Sequence, residues 1–277
     1  SIDNSSDVSS DISAVSDEPE TDTTAEQFST KYFVSRLSAK ERSDFAVLYK
    51  SAADCEQQAT FPNDIDEDEL DRLMWLLNYD CPELIHLTGE YVPKYSDTSP
   101  DKITGVSFRY NMTKGEYESC RIELDSYLDV LRDVTQGMNE YDKEMYVYRE
   151  IFDNVVFDDY AAHAGSVYGA LIEHRARCEG ISKAFAWCMQ GCGIECLTVA
   201  GTPLWENSSA YSSHSWNIIQ IDGDYYHVDI AADNLAVVES ETTYPLYGFY
   251  NFDDKHISRT HLVSNVFDER GIPKCTT

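Results

Sequence analysis

The stretch 214–221, HSWNIIQI, is followed by Asp222–Gly223 and then by 224–231, DYYHVDIA. Two apolar-rich runs joined by Asp-Gly predict a β-hairpin, because Asp-Gly suits the positive-φ positions of a tight two-residue turn. Such a turn sets Ile221 opposite Asp224, so paired positions sum to 445. Trp216 then faces Asp229, and His214 faces Ala231. Side chains two apart on a strand share a face, which makes His214 and Asp229 diagonal neighbours. Their Cα atoms lie roughly 7–8 Å apart, a gap that a long side chain and a carboxylate bridge. A three-residue turn or a bulge would spoil this register.

An imidazole oriented by a carboxylate lacks only a nucleophile. Upstream, Arg177-Cys178-Glu179-Gly180 opens an apolar helix that ends near Gly191. Cys178 therefore stands where helix N–H groups and the macrodipole stabilise a thiolate, and a nearby imidazolium adds to this. The same N–H groups suit a developing oxyanion. The logic is a Cys nucleophile, a His base and acid, and an Asp that orients the ring. The residues alone leave a blander reading open, since a helical Cys is usually a small buried hydrophobe and the chain holds seven His.

Outside this region the charge pattern is uneven. The 277 residues carry a formal net charge of −29, which excludes nucleic acid and anionic membrane surfaces as natural partners because both require a basic face. Residues 1–27 hold eight of the 50 acidic residues and no Lys, Arg or aromatic, which leaves 42 acids against 21 bases in the rest. Such a segment cannot bury enough apolar area to fold, so a disordered acidic spacer is expected, with Phe28 opening the folded part. The excess acid in the body favours neutral or basic substrates. No apolar run is long enough to span a bilayer. No Met opens the chain, and residue 1 reads as a processing or cloning boundary.

Periodicity predicts helices over 38–59, 67–79, 114–137 and 140–155, extended runs near 84–92 and 103–111, and a strand over 194–201 before a polar loop, 202–213. The expected division is a 28–137 accessory region and a 138–277 catalytic domain. Eight Cys form no CxxC pair. Cys188, Cys192 and Cys196 lack the paired spacing of a zinc site, so buried thiols or one disulfide are expected. Asp64, Asp66 and Asp68 alternate like a calcium loop but lack its Gly, and Trp75 stands at its acidic twelfth position. No metal and no cofactor is expected.

Residues 160–234 resemble the transglutaminase-like superfamily, in particular its bacterial cysteine-protease branch. The resemblance is carried by Ser166–Leu171, by Arg177-Cys178-Glu179-Gly180 with Lys183-Ala184-Phe185, by His214-Ser215-Trp216-Asn217 and by Val228-Asp229. Asp80–Leu84 is similar to part of the helical leader of secreted members, and Tyr250–Asp254 and His261 fit the closing part of the domain, so the likeness extends over most of 38–265. It implies an α+β, papain-like core in which a nucleophile helix packs on an antiparallel sheet. It implies Cys178 as nucleophile, His214 as base and Asp229 as orienting group, acting on peptide or protein amides through a thioester. Hydrolysis gives a peptidase, with a deamidase or an amine transferase as alternatives. A surface module that kept the fold without turnover is a further alternative.

Two departures stand out. Ile181 replaces a frequent Tyr, and Ala231-Ala232-Asp233-Asn234 replaces a common Thr-Trp-Asp-Asp run whose Trp would line the cleft. Ser166, Tyr168, Trp216 and Asn217 are candidate cleft or oxyanion supports, each with ordinary packing as its alternative. His163 and His174 read as surface residues, and His227 as a group behind the site or in the core. Asn111-Met112-Thr113 and Asn207-Ser208-Ser209 match glycan acceptors, relevant only in a eukaryotic secretory route. The resemblance implies a secreted or surface-tethered bacterial protein, with any anchor upstream of residue 1.

Overall fold

The computed structural model describes residues 28–204, 213–240 and 247–277, with side chains of 237–240 left aside. The expected spacer 1–27, most of the polar loop 202–213 and the glycan acceptor at Asn207 lie outside the described residues.

The first part of the chain builds a small body of helices and one sheet. A 3-10 turn, Val34–Arg36, precedes helix α1 (Ala39–Ala53), whose Ser38 and Glu41 form a capping box. Strand β1 (Gln58–Ile65) follows, then α2 (Glu67–Tyr79), capped by Asp66. Strands β2 (Leu87–Tyr95) and β3 (Ile103–Tyr110) complete an antiparallel sheet of order β1-β3-β2. The helix expected over 38–59 is therefore too long. It stops at Ala53, Cys55 takes a φ of 56°, and the chain turns into β1 with Ala59, Phe61 and Ile65 inside.

Two long amphipathic helices come next, α3 (Lys114–Thr135) and α4 (Glu140–Asn154). Two-residue strands β4 (Val156–Phe157) and β5 (Arg175–Ala176) pair in parallel around a short helix, α5 (Val167–Leu171), for which the periodicity carries no signal. Helix α6 (Cys178–Gly191) leads to β6 (Cys196–Pro203), β7 (His214–Ile221) and β8 (Asp224–Val228). Helix α7 (Ile230–Ser240), one turn α8 (Asp254–Ile257), β9 (His261–Val263) and α9 (Asn265–Arg270) close the chain. The second sheet is antiparallel, of order β8-β7-β6-β9.

Alternation along this sheet divides the core. Cys196, Ile219, Ile221 and Val228 join the cluster that contains α6, α3 and α4. Leu197, Val199, Trp216 and Ile218 point the other way and join the core of residues 28–108. The sheet is thus buried on both faces, which explains why β7 reads as a nearly continuous apolar run. This is an α+β architecture with a papain-like core, as expected from the sequence. Among the described residues no helix is long and apolar enough to cross a membrane.

Candidate active site

The β7–β8 hairpin has the register expected of a two-residue turn. Ile221 pairs with Asp224, Ile218 with His227 and Asn217 with Val228. Asp222 and Gly223 have φ values of 52° and 92°, the positive pair that a type I′ turn requires. The strand expected over 224–231 stops early, at Val228, because Asp229 turns the chain into α7 and accepts from the Ala232 N–H at 2.9 Å. That turn completes the approach: His214 Nε2 lies 2.5 Å from Asp229 Oδ2, with both side chains at most 4% exposed.

Cys178 is the first residue of α6 and is half-buried. Its side chain acts on that of His214 and helps to raise the imidazole pKa. Nε2 of His214 is the ring nitrogen that meets Asp229. The helix start is held by a close approach. A Cβ on Gly180 would stand 2.2 Å from the Ala164 carbonyl oxygen, and the Arg177 N–H donates to that same oxygen at 2.9 Å. Ser182, one turn on, donates its hydroxyl to the Ser215 carbonyl at 2.8 Å and ties α6 to β7.

Electrostatics of the pair follow from burial and contact. Burial alone would lower the His214 pKa, but the Asp229 carboxylate, reinforced by Cys178, raises it to about 10. Burial would raise that of Asp229, but His214 and then His261 outweigh it and hold the carboxyl well below its usual range. His261 is the second imidazole on this oxygen, with Nε2 2.9 Å from Asp229 Oδ2 and no exposure.

A cavity of about 380 Å³ flanks the helix start, walled by Arg177, Glu179 and Lys183 and faced by Asn78, Glu90 and His163. Burial pushes Glu179 up, but its ion pairs with Lys183 and Arg177 prevail and keep it below the usual carboxylate range.

The other sequence candidates are spread around this centre. Trp216 shares the face of His214 and donates its indole N–H to His227 Nδ1 at 3.0 Å. Asn217 points to the opposite face, where its amide donates to the carbonyls of Ser182 and Leu197. Ser166 caps α5 through the Gly169 N–H. Tyr168 reaches Glu123, away from the His214–Asp229 pair. His163 bonds Glu173 at 2.8 Å, and His174 is exposed.

Residues 129–230 match the family model of the transglutaminase-like superfamily. That segment is what the chain shares with the superfamily. No curated protein matches the chain. Among solved structures, a TGase is 15% identical, with 62% of this chain and 50% of that chain covered at a TM-score of 0.34. The periplasmic domain of TgpA from Pseudomonas aeruginosa is 15% identical, with 50% and 57% covered at a TM-score of 0.33. The chain thus spans between half and three fifths of these solved chains.

The run Ala231-Ala232-Asp233-Asn234 has structural work. Asp233 is fully buried, accepts from the Tyr148 hydroxyl at 2.5 Å and from the Gly248 N–H at 2.8 Å, and so anchors the segment whose Phe249 carbonyl accepts from the Asp229 N–H. Ile181 is buried in the helix core. Two side-chain sets bring potential metal-ligating atoms together among the described residues: His214, Asp229 and His261, and His227, Asp254 and Cys275. In the first, two imidazoles contact one carboxylate oxygen directly, as hydrogen bonds do. In the second, Trp216 donates to His227 Nδ1, so the ring proton sits on Nε2 and donates to Asp254 at 3.0 Å. Each set is arranged for hydrogen bonding rather than for coordination.

Sequence reasoning placed His261 only in the closing part of the domain and gave it no contact. It reaches Asp229 from β9, which pairs with the far edge of β6 through Pro203 and His261. No spacing in the chain signals that approach.

Proposed function

We propose that the protein cleaves peptide or protein amide bonds through a thioester on Cys178, with His214 as acid and base and Asp229 as its orienting partner. The observation that carries the reading is the buried His214–Asp229 hydrogen bond of 2.5 Å, set beside a cysteine at the first position of a helix. In the first step Sγ of Cys178 attacks the amide carbon while the proton of the Cys178–His214 couple is held on His214. The oxyanion lies at the N-terminus of α6, where the first N–H groups have no partner within the helix. The C–N bond then breaks as His214 gives that proton to the departing amine, leaving the thioester. Water, deprotonated by His214, attacks the thioester, and the carboxylic acid leaves as the proton returns to the Cys178–His214 couple. Asp229 holds the ring and stabilises its charged form throughout. An amine in the place of water gives transfer by the same steps.

The accessory role of residues 28–137 and the catalytic role of 138–277 belong to the same proposal. The test is alkylation by iodoacetamide near neutral pH. Cys178 should react before the other thiols, and His214→Ala should remove that preference. Labelling no faster than that of an ordinary exposed thiol would sink the reading. Casein incubated with and without a primary amine separates the outcomes: new termini indicate hydrolysis, and amine incorporation indicates transfer.

A further inference from the structure

We propose that His261 is a positioning residue for the Cys178–His214 couple, sharing Asp229 Oδ2 with His214 and thereby setting the carboxylate on which His214 rests. The proposal rests on the triad reading above.

Asp229 is held at both oxygens. Oδ1 accepts from the Ala232 N–H at 2.9 Å, and Oδ2 accepts from the two imidazoles at 2.5 and 2.9 Å. A carboxylate accepts only, so each imidazole presents an N–H to it. His261 is itself fixed. Its Nδ1 meets the Thr260 hydroxyl at 2.9 Å, and its ring packs 4.8 Å from Trp216 and 5.3 Å from Phe249. It lies 5.5 Å from the His214 ring, centroid to centroid.

Two effects follow. Without the His261 donor, the carboxylate keeps one anchor at each oxygen and turns more freely, so the His214 ring is less well aimed. The negative charge of Oδ2 also falls on a single donor, so His214 holds its proton more tightly. The other titratable groups that face this cluster are Cys178 from α6, His227 from β8, Asp233 from α7 and Tyr148 from α4. His227 is bound to Trp216 and Asp254, and Asp233 to Tyr148. His214 is therefore the group whose titration answers to His261.

The experiment measures the pH dependence of Cys178 alkylation by iodoacetamide in the full chain. His261→Phe keeps a ring against Trp216 and Phe249 but has no N–H. His261→Gln returns an amide donor at the same reach. In His261→Phe the alkaline limb should move up by about 0.5–1 pH unit, a roughly three- to tenfold change in proton affinity, and His261→Gln should bring it back towards wild type. Superimposable limbs in the wild-type chain and His261→Phe would overturn the proposal, as would a Gln variant displaced as far as the Phe variant. If the Phe variant does not fold, imidazole resonances of the wild-type chain decide. The Nε2 proton of His261 should report the deprotonation of His214 through the shared Oδ2, and a His261 proton that does not respond to it would overturn the proposal. His214→Ala separates the two readings. If it leaves Cys178 alkylation unchanged, the triad itself fails; if it abolishes the preference while His261→Phe changes nothing, only the role of His261 fails.

Discussion

The indole N–H of Trp216 donates to Nδ1 of His227 at 3.0 Å, in a buried layer directly behind the His214–Asp229 pair. Indole nitrogen only donates, so this contact fixes the tautomer of His227 and directs its Nε2 proton to Asp254. Trp216 also lies against His261 at 4.8 Å and alongside His214 at 6.1 Å with planes 17° apart. One side chain thereby aligns three imidazoles that belong to three different strands.

Trp216→Phe should keep most of the ring packing but leave His227 Nδ1 buried without its donor. The lost hydrogen bond should cost about 1–3 kcal/mol, with a further loss from the smaller side chain. Urea unfolding of Trp216→Phe, His227→Phe and the double variant measures the coupling. A coupling energy near zero would show that the two side chains contribute independently.

A second buried contact ties the N-terminal segment to α6. Lys31 donates to Glu83 at 3.0 Å, to the Asp80 carbonyl at 2.8 Å and to Gln190 of α6 at 3.3 Å, and the Lys31 and Glu83 side chains are only 9% and 8% exposed. Lys31→Met leaves Glu83 as a buried charge whose remaining side-chain donor is the Tyr49 hydroxyl. The expected loss is about 3–5 kcal/mol, whereas replacing Lys31 and Glu83 together by apolar residues should cost much less. Urea midpoints of the single and double variants test this, and equal losses in both would refute it.

How much of this was legible depended on how local the cause was. The hairpin register follows from two residues, Asp222 and Gly223, so the diagonal of His214 and Asp229 could be counted out from the turn. The position of Cys178 at a helix start followed from the apolar run behind it. Strand β1 was hidden because Ala52, Ala53 and Ala59 suit a helix, and the break at Cys55 uses a positive φ with neither Gly nor Pro to announce it. His261 was hidden for a different reason. Its strand has three residues, its partner lies 32 positions away, and the contact exists only once β9 joins the edge of β6. The burial of both sheet faces is likewise a tertiary fact, visible as apolar density in β7 but not as a statement of what covers it.

Glu144 on α4 makes a prediction of stabilising direction. Burial raises its carboxyl to about 7, against the hydrogen bond from the Asn251 amide to Oε2 at 3.0 Å. The Tyr250 hydroxyl also bonds this carboxyl and acts in the same direction as the Asn251 amide. A group whose folded pKa is raised favours the folded state fully below its unfolded value, about 4.5. That contribution is lost as pH rises through about 7. Glu144→Gln supplies a permanent donor and removes the titration. It should be more stable than wild type by about 1–3 kcal/mol at pH 8, with the gain shrinking towards pH 4.5. Urea unfolding at the two pH values checks it, and a gain independent of pH would refute the assignment.

The His214–Asp229 pair predicts a different window. His214 has a folded pKa of about 10 against an ordinary value of 6.5. The folded state keeps a proton that the unfolded chain gives up, so the contribution is complete below pH 6.5 and declines until about pH 10. Asp229 is depressed, so on the acid side the same interaction is lost as pH falls below the usual carboxylate range. These are two faces of one contact and count once. Glu144 titrates below this alkaline window, which leaves pH 7.5–10 as the range in which the pair is read. Unfolding free energy in urea should fall steadily across that range in the wild-type chain and much less in Asp229→Asn, which removes the charge that raises His214. Equal slopes in the two proteins would show that His214 does not hold its proton against Asp229, and the role proposed for the pair in the thioester chemistry would fall with it.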